Sequence, residues 1–275
     1  MFNNQDFSVI AKFAKDKAGL YLESDKEYLL ESRLKPILAQ FNLKSYAELA
    51  QEIQKNNMQV HKKVIESLTT NETSFFRDLQ PFTLLQQKIF PELVEKRKNS
   101  RELNIWCAAA STGQEPYTVG MVLSEHFPQV FKEWKVNFVA TDINQTVLNK
   151  AQSGVYSQLE VSRGLPAPLL VKYFTKKGID WIIREDLRHF VSFTTLNLMA
   201  PLPFSSFKPF DLVFIRNVLI YFELKDKQAI LERIKKVMAP DSHLFLGSSE
   251  TTLQISNGFE QINHGRVFTY QPKKN

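Results

Sequence analysis

At roughly 150 residues per domain, a chain of 275 residues holds one large domain or two modest ones. With 43% hydrophobic residues, 23% charged residues and 22 phenylalanines, the chain carries enough apolar area for a packed core, which excludes wholesale disorder. The net charge of +6 is interspersed and dense only at Lys96-Arg97-Lys98 and Lys235-Lys236, so charge alone is weak support for an anionic partner.

Met1 to Asp6 show no basic head followed by an apolar stretch, so no signal peptide is expected. From residue 6 to 68 the pattern is helical. Phe7, Ile10, Phe13 and Ala14 recur at helical spacing, followed by Tyr28, Leu29, Leu34, Ile37 and Leu38. Tyr46, Leu49, Ala50 and Ile53 form a third stripe, and Val60, Val64, Ile65 and Leu68 a fourth. Gly19 and Asn42 are expected stops, because both tolerate the left-handed conformation of a helix end. These stripes predict an all-helical N-terminal domain over residues 1–72, then a linker and first helix of a second domain over 73–100.

Beyond residue 100 the texture changes. Apolar, β-rich runs at 103–108, 136–141, 190–196, 210–216 and 244–247 alternate with helical patterns at 117–127, 146–152 and 228–238. That alternation predicts βαβ units and a mostly parallel sheet over 101–275. Cys107, the one cysteine, falls in the first run and reads as a small core residue; its solitude excludes an intrachain disulfide and suits a reducing cytosol. Between about 154 and 189 a helix near 168–174 and two short strands around Lys177-Gly178 predict a small β-bearing insertion. Apolar runs such as Leu212-Val213-Phe214-Ile215 are far shorter than the ~18 residues of a membrane span. Two final β segments flanking Asn263-His264-Gly265 predict an antiparallel terminal hairpin.

In an open parallel sheet, ligands bind beyond the C-terminal strand ends where the strand order reverses. The first strand runs into Ala108-Ala109-Ala110-Ser111-Thr112-Gly113-Gln114-Glu115-Pro116, whose small residues either admit a ligand to the backbone or form only a tight strand-to-helix loop. The glycine spacing is not that of a pyrophosphate-binding loop, which disfavours an NAD-dependent oxidoreductase. Asp142, ending the second strand, can accept both hydroxyls of a ribose, or cap the helix that follows. A small-residue loop and this acidic strand end suit a nucleoside without pyrophosphate, as in S-adenosylmethionine. The five histidines, His61, His126, His189, His243 and His264, show no ligand spacing, and no metal is expected.

Four motifs occur in order: Thr70-Asn71-Glu72-Thr73-Ser74-Phe75-Phe76-Arg77-Asp78, the loop at 106–117, Ala140-Thr141-Asp142-Ile143, and Ile215-Arg216-Asn217-Val218-Leu219-Ile220-Tyr221-Phe222. Together they closely resemble the chemotaxis receptor methyltransferases, the CheR family, over nearly the whole chain. The resemblance implies an α/β fold: an all-helical N-terminal domain, then a Rossmann-like methyltransferase domain with a small inserted antiparallel β-subdomain. It implies that Asn71, Thr73 and Arg77 contact S-adenosylmethionine, Glu115 its amino end and Asp142 its ribose. Asn197 and Leu198 would flank the adenine, Arg216 and Asn217 close the pocket, and Tyr221 stand with Arg77 near the transferable methyl.

Each residue also has a structural reading. Thr69-Thr70-Asn71-Glu72 is a capping-box pattern, Phe75 and Phe76 suit the core, Tyr221 and Phe222 could be core aromatics, Asn217 a cap, and Arg77-Asp78 a surface pair. The implied reaction is esterification of a receptor glutamate, and a carboxylate of pKa ~4.3 needs no general base at neutral pH. Alternatives are a methyltransferase of another substrate or a non-catalytic cofactor-binding adaptor. The implied partner is the cytoplasmic helical domain of a methyl-accepting receptor, contacted through Lys26, Arg33, Lys35 and Lys44, in the cytoplasm, with neither nucleic acid nor membrane insertion. The family's peptide-docking turn corresponds to Thr175-Lys176-Lys177-Gly178-Ile179-Asp180, with one glycine, so docking of a tethered receptor peptide is not expected.

Overall fold

A computed structural model describes residues 3–22, 27–204 and 207–273. Lys26 lies outside the described residues, as does the side chain of Leu29. The N-terminal helices are α1 (Asn4–Ala18), α2 (Glu27–Gln40), α3 (Tyr46–Gln54) and α4 (Met58–Leu68). Side chains of Asn3, Ser45 and Asn57 cap α1, α3 and α4 by accepting first-turn N–H groups. Gly19 (φ 69°) ends α1 and Asn42 (φ 53°) follows α2, both left-handed as expected. Ile10, Ala14, Leu34, Leu49, Val60 and Val64 are fully buried between the helices. Tyr28 departs from its expected stripe and is 67% exposed, because α2 buries Leu30, Leu34 and Ile37, and a residue two before Leu30 faces the other way.

The chain continues through α5 (Gln80–Leu84), a π turn (Leu85–Ile89) and α6 (Phe90–Arg97) into β1 (Glu102–Cys107). Then come α7 (Gln114–His126), α8 (Pro128–Glu133), β2 (Lys135–Asp142) and α9 (Gln145–Ser153). A small lobe follows: β3 (Val155–Ser157), α10 (Gln158–Ser162), α11 (Ala167–Tyr173), β4 (Phe174–Lys177) and β5 (Asp180–Ile183), whose strands form an antiparallel sheet in the order β3-β5-β4. The remaining elements are α12 (Glu185–Phe190), β6 (Ser192–Thr195), β7 (Phe210–Ile215), a 3₁₀ turn (Leu219–Tyr221), α13 (Leu224–Val237), β8 (Met238–Leu246), β9 (Phe259–Asn263) and β10 (Phe268–Pro272). Strand β6 starts two residues later than the apolar run beginning at 190, since Phe190 closes α12.

The main sheet has the order β6-β2-β1-β7-β8-β10-β9. Its first five strands are parallel and the β9–β10 hairpin is antiparallel. The central strands are buried on both faces, with period-two alternation. Leu103, Ile105, Cys107, Phe138, Ala140, Leu212 and Phe214 pack on one face, and Trp106, Val139, Val213 and Ile215 on the other. The order reverses between β1 and β7, and at their C-terminal ends the sheet opens a crevice. No helix among the described residues is long and apolar enough to cross a membrane.

Candidate functional site

A cleft sits over that crevice, about 910 Å³ counted to its open mouth, within the usual range of small-molecule sites. Asn71, Thr73, Arg77, Glu115, Asp142, Asn197, Leu198, Arg216, Asn217 and Tyr221 all line it, so the residues that the resemblance assigned to cofactor and reaction are brought to one place. They arrive from the junction after α4, the β1–α7 turn and the C-terminal ends of β2, β6 and β7. Ala18 and Leu20, at the end of α1, complete the wall.

The floor is an ion-pair cluster centred on Arg216, whose side chain is 2% exposed. Its Nη1 donates to Glu115 Oε2 at 2.6 Å, and its Nη2 donates to Asp78 Oδ2 at 2.7 Å and to the Arg77 carbonyl at 3.1 Å. The guanidinium lies 5.5 Å from the Phe82 ring centroid. Its buried Nε has no hydrogen-bond partner among the described residues. Burial pushes the Glu115 carboxyl above its ordinary pKa, and the Arg216 charge beside it opposes that shift. Asp78 thus pairs with Arg216 and not with its neighbour Arg77.

Asp142 is 8% exposed and belongs to the backbone as much as to the cleft. Its Oδ2 accepts the Ser111 N–H and its Oδ1 the Asn144 N–H, each at 2.9 Å. Desolvation raises its pKa, while these amides pull it back. One further lone pair on each oxygen remains for a ligand hydroxyl. The cap of α9 is Asn144, which accepts from the Thr146 and Val147 amides, so the capping reading of Asp142 is displaced by two residues.

The junction does not form a capped helix at residue 70. Residues 70–74 are irregular, and the helix starts at Gln80, so the capping-box reading of Thr69 to Glu72 is not realised. Its backbone is instead tied to the β1–α7 turn, where Ser111 Oγ donates to the Asn71 carbonyl at 2.9 Å. Phe75 is fully buried against Tyr156 and Phe174, as its core reading held. Gly164 (φ 85°) makes this seat possible, since a Cβ there would fall 2.1 Å from the Phe75 carbonyl oxygen. Arg77 is half-buried, with Nη1 donating to the Glu72 carbonyl.

Asn197 donates to the Lys17 carbonyl of α1 at 2.6 Å and accepts the Met199 N–H, while the Leu198 carbonyl accepts from Arg233 of α13. Asn217 takes a left-handed conformation (φ 57°), and Tyr221 ends the 3₁₀ turn, its carbonyl accepting the Tyr21 N–H. Cys107 is buried and its thiol is pushed well up by desolvation, consistent with a core role.

The sequence reading missed Glu250, which underlies the loop after β7, and Ser111, which ties Asp142 to the junction. Glu250 ends Gly247-Ser248-Ser249-Glu250 just past β8, small residues at a strand end like those that flagged the loop after β1. That signal could have located it.

The cleft fits S-adenosylmethionine. Ile143, Leu196, Leu198 and Phe222 offer apolar walls for a purine, Asp142 suits ribose hydroxyls, and the partly buried Glu115 suits an ammonium. The family described as "CheR methyltransferase, SAM binding domain" matches residues 71–268, and "CheR methyltransferase, all-alpha domain" matches residues 5–69. The chain is 38% identical over 273 residues to chemotaxis protein methyltransferase 1 of Pseudomonas aeruginosa, and 36% identical over 274 residues to chemotaxis protein methyltransferase Cher2 of Pseudomonas putida. Both alignments cover 98% of this chain and 98% of the relative. The chemotaxis protein methyltransferase of Escherichia coli is 34% identical over 259 residues, covering 92% of this chain and 86% of that one.

Proposed function

The chain belongs to the CheR methyltransferase family, and from that premise we propose that it esterifies glutamate side chains in the cytoplasmic helical domain of methyl-accepting chemotaxis receptors. S-adenosylmethionine is its cofactor. When bound, it supplies a methyl group made electrophilic by a sulfonium.

The observation that carries this reading is the division of the cleft. A floor of buried Asp142 and Arg216, with the Glu115 side chain 13% exposed beside them, gives way to a half-buried rim bearing Arg77 and Tyr221 from opposite segments. In this reading Glu115 accepts the cofactor's ammonium, Asp142 its ribose hydroxyls, and Asn71, Thr73 and Asn217 complete the pocket. Asn197 and Leu198 flank the purine, with the Asn197 side chain committed to the Lys17 carbonyl and its own loop.

A glutamate of pKa ~4.3 arrives ionised, so the residues at the rim have a nucleophile to orient and no proton to remove. Arg77 and the Tyr221 hydroxyl orient that carboxylate, and the apolar walls exclude water, which leaves proximity and partial desolvation as the sources of rate. Arg77 is held back by its bond to the Glu72 carbonyl, which moderates its grip. A tightly paired carboxylate would be a poorer nucleophile.

The receptor's helices would approach the N-terminal domain, where Lys35 and Lys44 are exposed. Arg33 is unsuited to that contact, since its guanidinium donates to the Leu68 carbonyl at 2.6 Å and to Thr70 Oγ1 at 2.9 Å. The β4–β5 turn carries Gly178 and Ile179 alone between its strands, and we expect no docking of a tethered receptor peptide there.

The test is transfer of radiolabelled methyl from S-adenosylmethionine to receptor-containing membranes, followed by mild base. Label released as methanol supports a glutamyl ester. Base-stable label would redirect the substrate to an amine, and labelled nucleic acid would overturn the reading.

A further inference from the structure

We propose that Glu250 is a positioning residue for methyl transfer, setting from beneath the loop that presents Asn217 and Tyr221 to the cleft; the proposal rests on the reading of this cleft as the methyl-transfer site. Glu250 does not line the cleft itself. Its carboxylate nonetheless collects four backbone amides. Oε2 accepts the Asn217 and Gly247 N–H groups, each at 2.7 Å, and Oε1 accepts those of Val218 at 2.9 Å and Leu219 at 2.7 Å.

Three consecutive amides pointing at one spot form an anion-binding concavity, here at the start of the 3₁₀ turn that ends with Tyr221. The protein fills it with its own carboxylate. Charge-assisted bonds of this kind are about twice as strong as neutral ones, which compensates for holding Asn217 at φ 57°. The brace leaves no space for change. A Cβ at Gly247 would lie 2.7 Å from Glu250 Oε2, 2.7 Å from Asn217 Nδ2 and 2.9 Å from the Asn217 nitrogen. The loop's conformation therefore depends on a residue 33 positions later in the chain.

Glu250→Gln is the informative change. It keeps the size of the side chain, but sets an NH₂ group against two of the four amides, so those bonds are lost and the loop shifts. In the full-length protein, we expect S-adenosylhomocysteine to bind roughly tenfold more weakly by calorimetry, and kcat to fall by up to about tenfold, since one lost charge-assisted bond is worth about tenfold. Combined with Tyr221→Phe, the two losses in kcat should be smaller than their product, because both act through the same hydroxyl. A brace that is merely structural would lower thermal stability while leaving the kcat of the folded fraction intact and the double variant multiplicative, and that result overturns the proposal.

A second measurement needs no variant. In the wild-type protein the amides of 217, 218, 219 and 247 should exchange slowly together, and fast exchange at 217–219 would equally refute the brace. Wild-type binding of S-adenosylhomocysteine is the control: its failure refutes the reading of the cleft, whereas amide exchange still reports on Glu250.

Discussion

Glu115 and Asp142 are both held above their ordinary pKa by burial, with Arg216 and backbone amides respectively pulling the other way. Because the folded-state values exceed the unfolded ones, each group's contribution to the stability of the protein is complete below its unfolded value and is lost as pH rises through the folded one. Ligand binding has the opposite sense, since an ammonium and ribose hydroxyls are best received by ionised carboxylates. Affinity for S-adenosylhomocysteine should therefore be level near neutrality and fall on acidification, starting above the ordinary carboxylate range. Calorimetric titrations between about pH 8 and pH 5 would check this, with Glu115→Gln removing its share of the dependence. An affinity constant across that range, matched by the variant, would remove Glu115 from the ammonium site. At the rim, Tyr221→Phe should lower kcat about tenfold with cofactor affinity within about twofold, as fits an orienting group. A changed affinity with unchanged kcat would make Tyr221 a wall of the pocket.

Among the elements, the sheet is tied down at the end opposite the cleft. Arg97, in the last turn of α6, donates through Nε to Asp211 Oδ1 of β7 and through both terminal nitrogens to Asp241 of β8. Asp211 is 2% exposed, and its other oxygen accepts the Asn104 amide of β1, so one arginine joins a helix to three strands. Replacing Arg97 by Ala would leave Asp211 buried beside one amide and should cost about 2 kcal/mol, less than for a wholly buried pair because Asp241 is partly solvated. Lysine should restore only part of this, since a point charge cannot fork to two carboxylates. Urea unfolding would measure the loss, and the activity of the folded fraction should be unchanged. Reduced activity without reduced stability would mean that this end communicates with the cleft.

At the scale of the molecule, the helical domain closes the cleft and is more than an appendage. The end of α1 docks beside the 3₁₀ turn through Lys15–Glu223, Asn197 to the Lys17 carbonyl, and the Tyr21 amide to the Tyr221 carbonyl. The end of α4 docks on α9, with Asn144 Nδ2 donating to the Glu66 carbonyl and Thr69 Oγ1, each at 3.0 Å. Gly19 packs tightly against the second domain. A Cβ there would lie 2.6 Å from the Phe222 ring and 2.8 Å from Met199 Sδ, at a φ of 69°. Gly19→Ala should push α1 away from the pocket and weaken S-adenosylhomocysteine binding about tenfold, the equivalent of ~1.4 kcal/mol. Binding as tight as wild type would show that the helical domain contributes no wall to the cofactor site.

Much of this arrangement was legible in the sequence, and for local reasons. Helix stripes, the left-handed stops at Gly19 and Asn42, the alternating strands and the terminal hairpin all follow from periodicity and backbone preference within a few residues. Part of the cleft's lining was legible from position, because a parallel sheet places its ligands at strand ends, where the loop after β1 and Asp142 stand; Arg216, Asn217 and the junction residues were reached through the family resemblance. What only the tertiary structure decided is pairing across long separations. Arg216 chose Asp78 over solvent and left Arg77 free of it, Arg33 turned inward to the linker, and Glu250 found the amides of residues 217–219. A charged side chain's partner depends on which strand ends the crossovers bring together, and that is a property of topology with no period in the sequence to announce it.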